Sequence, residues 1–206
     1  MKAAALLKGL RQLYPDANCE LDHKTPLELL VATILSAQCT DKRVNLVTKA
    51  LFKKYRSAAD YAKADTAELE ADIRSTGFFR SKAKSIQETA KILVAEHHGK
   101  VPDTMEELLE LRGVARKTAN VILGTAYGKA SGIVVDTHMK RVAFRLGLTA
   151  QTDPEKVEVD LMKSVPKRDW IFFSQAMVWH GRRVCFARNP DCPGCALNRV
   201  CPRRGL

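Results

Sequence analysis

Four cysteines crowd the end of this 206-residue chain: Cys185, Cys192, Cys195 and Cys201, in the spacing C-x6-C-x2-C-x5-C, while Cys19 and Cys39 stand apart. Pro190, Pro193, Gly194 and Pro202 break the segment into turns, so the four thiolates can meet at one site. Such a donor set suits structural Zn²⁺ and a [4Fe–4S] cluster alike. Zinc ribbons usually pair two close C-x2-C units, and the single x2 gap here leans towards the cluster. Two disulfides are the remaining alternative, although disulfide scaffolds are usually smaller and spread their cysteines through the chain. A second chemistry-bearing stretch is TMEELLELRGVARKTANVILGTA, residues 104–126. One short helix ends near Leu111, the chain turns at Arg112-Gly113-Val114, and another helix runs from about Ala115. Gly113 can take backbone angles closed to other residues and lets a ligand come close. Amides at the start of the second helix favour a phosphate, and Arg112, Arg116 and Lys117 add positive charge there. An ordinary corner between two helices has the same turn, so a phosphate grip and a purely structural corner both fit.

The elements that must position these groups read as nearly all helix. Thr25-Pro26 supplies an N-cap and a first-position proline for a helix to about Gln38, and Asp41 opens another to about Tyr55. Asp65 with Glu68, and Asp103 with Glu106, have capping-box spacing. Ala83, Ile86, Ala90, Leu93 and Val94 recur at helical intervals over 80–97, and further helices fit 137–146, 154–164 and 168–180. Trp170, Phe172, Phe173 and Trp179 are expected in the core beneath the last helix, and Ile133-Val134-Val135 is the one β-like run.

Lys and Arg number 34 against 23 Asp and Glu, a formal charge of +11. That balance is compatible with a polyanionic partner. At 46% hydrophobic residues the chain should fold rather than behave as a basic tail. The apolar stretch after Lys2 is too short for a signal peptide, and no run approaches the ~18 residues of a membrane span, so neither export nor insertion is expected.

Two further stretches complete a pattern: Val134-Val135-Asp136-Thr137-His138, and His180-Gly181-Arg182-Arg183-Val184-Cys185 leading into the cysteine loop. With LRGVARKTAN and the cysteine spacing, in this order, they resemble the endonuclease III family, bifunctional DNA glycosylase/AP lyases of the helix-hairpin-helix superfamily. Leu35-Ser36-Ala37-Gln38-Cys39-Thr40-Asp41 and Gly77-Phe78-Phe79-Arg80-Ser81-Lys82-Ala83 are similar to the family as well, so the resemblance runs from about Leu27 to Cys201. It implies an all-α fold: a six-helix barrel domain over 19–129 that contains the hairpin (104–126), and an iron-sulfur domain built from 1–18 and 130–206, with a DNA-binding cleft between them. It further implies a [4Fe–4S] cluster on Cys185, Cys192, Cys195 and Cys201. The implied partner is double-stranded DNA carrying oxidised or ring-saturated pyrimidines or abasic sites. A monomeric, cytoplasmic, nucleoid-associated protein of a bacterium or archaeon would follow.

Residue by residue, Lys117 matches the family's catalytic lysine. Its neutral amine would attack C1′, displace the base and form a Schiff base, after which β-elimination breaks the strand on the 3′ side. A free lysine titrates near 10.4, so the amine must be tuned or deprotonated to act at neutral pH. Asp136 matches the family's catalytic aspartate, able to stabilise charge at C1′ and assist that deprotonation, and it would also N-cap the helix at Thr137. Gln38 would fill the gap left by the extruded base. Phe78 stands where the family places an apolar wedge, and Phe79 could exchange roles with it. His138 matches a position near the site. Arg112, Gly113, Ala115 and Arg116 form the DNA-contacting turn. Two departures stand out: Arg112 replaces a proline and Ala115 a second glycine of the usual hairpin, and the interval from Lys117 to Asp136 is about one residue long. The adenine-mismatch branch shares the cluster but has a glutamate where this chain has Thr33 and generally lacks the lysine. A non-catalytic DNA-binding or redox-sensing cluster protein is the rival from another class.

Overall fold

Caps decide where the helices begin. In the computed structural model, which describes residues 3–206, eleven α-helices form among the described residues: α1 (Ala3–Leu13), α2 (Pro26–Leu35), α3 (Asp41–Lys54), α4 (Ala58–Lys63), α5 (Thr66–Ile73), α6 (Phe79–Glu96), α7 (Met105–Glu110), α8 (Arg116–Tyr127), α9 (Thr137–Arg145), α10 (Pro154–Ser164) and α11 (Trp170–Arg183). Met1 and Lys2 lie outside the described residues. Thr25 caps α2 with Pro26 at its first position, Asp65 caps α5, Asp136 caps α9 and Asp153 caps α10. Each gives a side-chain oxygen to an amide that the helix itself cannot satisfy.

The structure departs from the sequence reading at several places. α2 stops at Leu35 rather than near Gln38, because Gln38 takes a left-handed φ of 51° that no helix continues through. α7 is capped by Thr104, not Asp103: the Thr104 hydroxyl accepts from the Glu107 amide. α4 lies outside the helices that the sequence predicts: it opens on a reciprocal Ser57–Asp60 capping box and buries Ala58 and Tyr61. Ile133-Val134-Val135 is extended but pairs with no strand, and none forms among the described residues; Ile133 and Val135 point into a core while the Val134 amide donates to the Ser174 hydroxyl.

The chain divides into two compact units: Cys19–Lys129, and the segment up to Asn18 together with Ala130–Leu206. The first holds α2–α8. Its core runs through Leu29, Leu35, Val44, Ile86, Leu108 and Ile122, all buried. Within it α4 and α5 pack on α6, and α8 on α2. The second unit packs α9 on α11 and α1 on α11 around Leu6, Leu10, Met139, Val142, Phe173 and Met177. Trp170 and Trp179 are buried there too, while Phe172 is only partly covered and lies beneath the Arg11 guanidinium at 4.3 Å.

Candidate active site and nucleic-acid interface

The turn between α7 and α8 takes its shape from Gly113, whose φ of 80° is open to glycine and strained for other residues. A Cβ at Gly113 would also lie 3.1 Å from Ser85 Cβ on α6. Val114 tucks into the core and its amide closes the turn onto Leu111 O at 3.1 Å. Ala115 is the N-cap of α8 and gives the first turn no side-chain cap. Lys117 is exposed in that same turn. Arg112 does not project freely. Its guanidinium bonds Glu88 on α6 at 2.6 Å, and its carbonyl accepts from the buried Thr89 hydroxyl at 2.9 Å. The residue that replaces the hairpin proline is thus fixed by an ion pair.

Two further turns of the same unit present side chains outward. Beyond α2, Ser36 and Cys39 close a turn (Cys39 N to Ser36 O, 3.1 Å) that leaves Gln38 exposed. Before α6, Gly77 (φ 71°) and Phe78 (φ 47°) are both left-handed, and Phe78 is 66% exposed. Phe79 is different: it is partly buried against the core, with Arg74 and Arg80 near its ring faces. Of the two phenylalanines, only Phe78 is available as a wedge. Thr33, at the position where the mismatch branch carries a glutamate, is buried with its hydroxyl donating to Leu29 O.

In the other unit Asp136 is half-buried at the start of α9, and its Oδ1 accepts from the Met139 amide at 2.7 Å. That bond uses one oxygen of the carboxylate as a helix cap. His138 turns towards its own helix and α11: its Nδ1 lies 3.2 Å from Arg141 Nη2, and a Cβ at Gly181 would meet His138 Cβ at 2.9 Å. Arg141 also donates to the Gly181 and Cys185 carbonyls, and Arg145, one turn on, donates to the Phe186 and Ala187 carbonyls at 2.6 and 3.0 Å. Burial lowers the Arg141 pKa. Two buried or half-buried arginines of α9 therefore hold the backbone of the cysteine loop.

That loop is a series of turns in which the Asp191 carboxylate accepts the Gly194 amide and lies where a Cβ at Gly194 would point, so a side chain there would have to displace it. Cys185, Cys192, Cys195 and Cys201 all line one small pocket with Val142, Arg145, Leu146, His180 and Leu197. None of the six cysteines is in a disulfide. Burial raises the Cys195 thiol pKa, the Leu197 amide opposes this, and Cys185, Cys201 and Cys192 add to the rise, as thiols sharing one cavity must. Donors approach the same sulfurs: Arg145 Nη1 to Cys185 Sγ at 3.4 Å, and the Arg203 amide to Cys201 Sγ at 3.4 Å. His180 is 2% exposed, and burial pulls its pKa down to about 4, so the imidazole is neutral. Its Nδ1 faces the Tyr14 hydroxyl at 3.1 Å and its Nε2 faces Cys195 Sγ at 3.7 Å, so both ring nitrogens have a polar partner. No three His, Cys, Asp or Glu side chains among the described residues are set to hold a single ion. A four-iron cluster takes one thiolate on each iron, and four thiols around one apolar cavity with N–H donors on their sulfurs fit that demand.

The sequence reading did not single out Arg141, Arg145, Glu88, Thr89, Tyr14 or Lys82. One signal was present: Arg145 falls three residues after Val142 on the stripe that helical spacing assigns to the core, where an unpaired arginine is not expected.

Residues 31–167 match the family model described as HhH-GPD superfamily base excision DNA repair protein. Endonuclease III of Synechocystis sp. is 56% identical over 201 residues, covering 98% of this chain and 92% of that protein. Endonuclease III of Bacillus subtilis is 45% identical over 196 residues, covering 95% and 89%. Among solved structures, a non-covalent Endonuclease III–DNA complex superposes with a TM-score of 0.92 at 46% identity, covering 97% of this chain and 94% of that one. A trapped Endonuclease III–DNA covalent intermediate matches with the same TM-score, identity and coverage.

Proposed function

The chain belongs to the HhH-GPD superfamily of base excision DNA repair proteins and, within it, to the endonuclease III family, and from that premise we propose that it is a bifunctional DNA glycosylase/AP lyase acting through Lys117. The observation that carries this reading is the hairpin. A left-handed Gly113 delivers the chain into a helix whose cap residue has no side-chain acceptor, and a primary amine lies exposed in the first turn. A backbone phosphate held at that helix end sets a sugar beside the amine. Lys117 Nζ, as the neutral amine, attacks C1′, and the C1′–N bond breaks with its electron pair leaving on the base. Asp136 stabilises the positive charge that develops at C1′ and accepts the proton lost by the amine. Ring opening gives the imine. Loss of the C2′ proton then expels the 3′ phosphate, and water releases the lysine. Gln38 and Phe78 occupy the stack vacated by the extruded nucleoside. Gly113, Ala115 and Arg116 hold the strand, with Arg112 braced at its side, and His138 keeps α9 seated on α11. Oxidised or ring-saturated pyrimidines and abasic sites in duplex DNA are the substrates of this reading, for a monomer in the cytoplasm, associated with the nucleoid.

We read Cys185, Cys192, Cys195 and Cys201 as the ligands of a [4Fe–4S] cluster, which when bound ties together a loop that otherwise rests on turns and the two arginines of α9. An absorption band near 400 nm in anaerobically prepared protein, with four irons per chain, is the expected signature; stoichiometric zinc in its place would end that assignment.

Borohydride reduction of the protein with abasic duplex tests the nucleophile. The wild-type chain should give a covalent adduct and Lys117→Ala none. An undiminished adduct from the variant would move the chemistry to another amine. Duplexes each carrying one defined lesion, assayed for base release apart from strand cleavage, then fix the substrate range.

A further inference from the structure

One buried cation plays no part in the chemistry above. Lys82, in the first turns of α6, is 5% exposed, and its Nζ donates to two main-chain carbonyls, Leu35 O and Thr76 O, at 2.8 Å each. Leu35 is the last residue of α2 and Thr76 closes the 3-10 turn before Gly77. Three residues beyond Leu35 stands Gln38 (φ 51°), and two beyond Thr76 stands Phe78 (φ 47°). Left-handed angles at non-glycine residues are costly and persist only where their surroundings enforce them. A carbonyl at a helix end lacks an intrahelical partner, and one ammonium here serves two of them from segments far apart in sequence. The position is an expensive one for a charge: burial lowers the Lys82 pKa, and only the nearby Cys39 thiol opposes this. Cys39 itself directly follows Gln38, so the same ammonium faces the Gln38 turn by a second route.

We propose that Lys82 is a positioning residue that fixes the two left-handed turns against each other, so that Gln38 and Phe78 enter the duplex as one unit. The proposal rests on reading those two residues as the gap-filling pair. It assigns Lys82 no contact with DNA: the lysine acts through the backbone of Leu35 and Thr76. A methionine there would occupy a similar volume and remove the charge, yet would leave both carbonyls without their donor.

The test uses the full chain with its cluster and a duplex in which 2-aminopurine stands opposite a tetrahydrofuran abasic analogue. Binding of the wild-type protein should raise the fluorescence as the opposite base is unstacked. With Lys82→Met at saturating protein, most of that rise should be lost, and single-turnover base release from duplex should fall by about tenfold or more, as misplacement of positioning groups typically costs. Borohydride trapping on single-stranded abasic DNA, which needs Lys117 but no gap to fill, should be retained. Lys82→Gln keeps a donor able to reach one carbonyl, should fall between the two, and carries the test if the methionine variant does not fold. A merely structural lysine would lower the melting temperature and leave the saturated fluorescence of the folded variant unchanged; that result overturns the proposal, provided Gln38→Ala and Phe78→Ala each abolish the rise. If neither of those two variants alters it, the gap-filling reading falls first and the role of Lys82 falls with it.

Discussion

Lys117 and Asp136 are singled out by the resemblance to the endonuclease III family, because by type and neighbours alone a lysine after a glycine turn also reads as a phosphate contact and an aspartate before Thr137 also reads as an N-cap. Other residues take their meaning from partners far along the chain. Arg112 reads as a free cation in LRGVARK, yet Glu88, 24 residues earlier, holds it at 2.6 Å. Asp136 shows how two roles on one carboxylate can be separated. Its Oδ1 caps α9, and loss of a cap costs about 1 kcal/mol. Asp136→Asn keeps the acceptor and removes the charge, so chemical denaturation should find its stability close to wild type while base release falls by about 10²-fold or more. Asp136→Ala should lose both. If the asparagine variant releases base at the wild-type rate, the carboxylate is a cap and no more. Phe78 gives the opposite lesson: an aromatic in an amphipathic pattern reads equally as core, and only the pair of left-handed residues at 77 and 78 turns it outward while Phe79 takes the buried place.

At the scale of elements, α6 is the member on which the turns proposed to face DNA converge. Lys82 holds the ends of α2 and the 3-10 turn, Ser85 lies against Gly113, Glu88 pairs with Arg112 and Thr89 bonds the Arg112 carbonyl. Periodicity located the helix to within a residue but not this role, since the contacts that matter are made by its polar residues with helix ends and turns 6 to 47 positions away. Two predictions belong here. Gly113→Ala meets a left-handed φ and a crowded Ser85 together, so a loss of about 1–2 kcal/mol in stability is expected, with weaker DNA binding as the turn shifts off α6. Equilibrium denaturation and fluorescence anisotropy read the two effects. Glu88→Gln acts in the other direction. The pair is roughly half exposed, so its removal should change stability by less than about 1 kcal/mol. It releases the Arg112 charge towards a phosphate, which should steepen log K against log salt by about 0.9. An unchanged slope would mean that Arg112 braces the turn without ever meeting DNA.

For the whole molecule, the net charge of +11 specifies a field but no place, and the two units supply the place. In the Cys19–Lys129 unit the cations of the hairpin are Arg112, which Glu88 holds, Arg116 and Lys117. In the other unit the last 27 residues carry six arginines against the single acid Asp191. Among them Arg188, Arg199, Arg203 and Arg204 are exposed on the cysteine loop. Arg141 and Arg145 hold the start of that loop at the Cys185, Phe186 and Ala187 carbonyls, and the Arg145 carbonyl accepts the Arg204 amide near its end, so those exposed side chains stand on a loop tied at both ends rather than on a free tail. Cations on a fixed surface release condensed counterions in proportion to the phosphates they meet, about 0.9 per phosphate in the log–log slope. Neutralising Arg188 and Arg199 to glutamine should therefore weaken binding to damaged and undamaged duplex alike and flatten the slope. The borohydride adduct formed at saturating enzyme should persist, because neither residue touches the reacting sugar. Anisotropy titrations across a salt series decide the point. A slope that stays put would confine the DNA contact to the hairpin and its neighbouring turns, and the arginines of the cysteine loop would then need another explanation than the duplex.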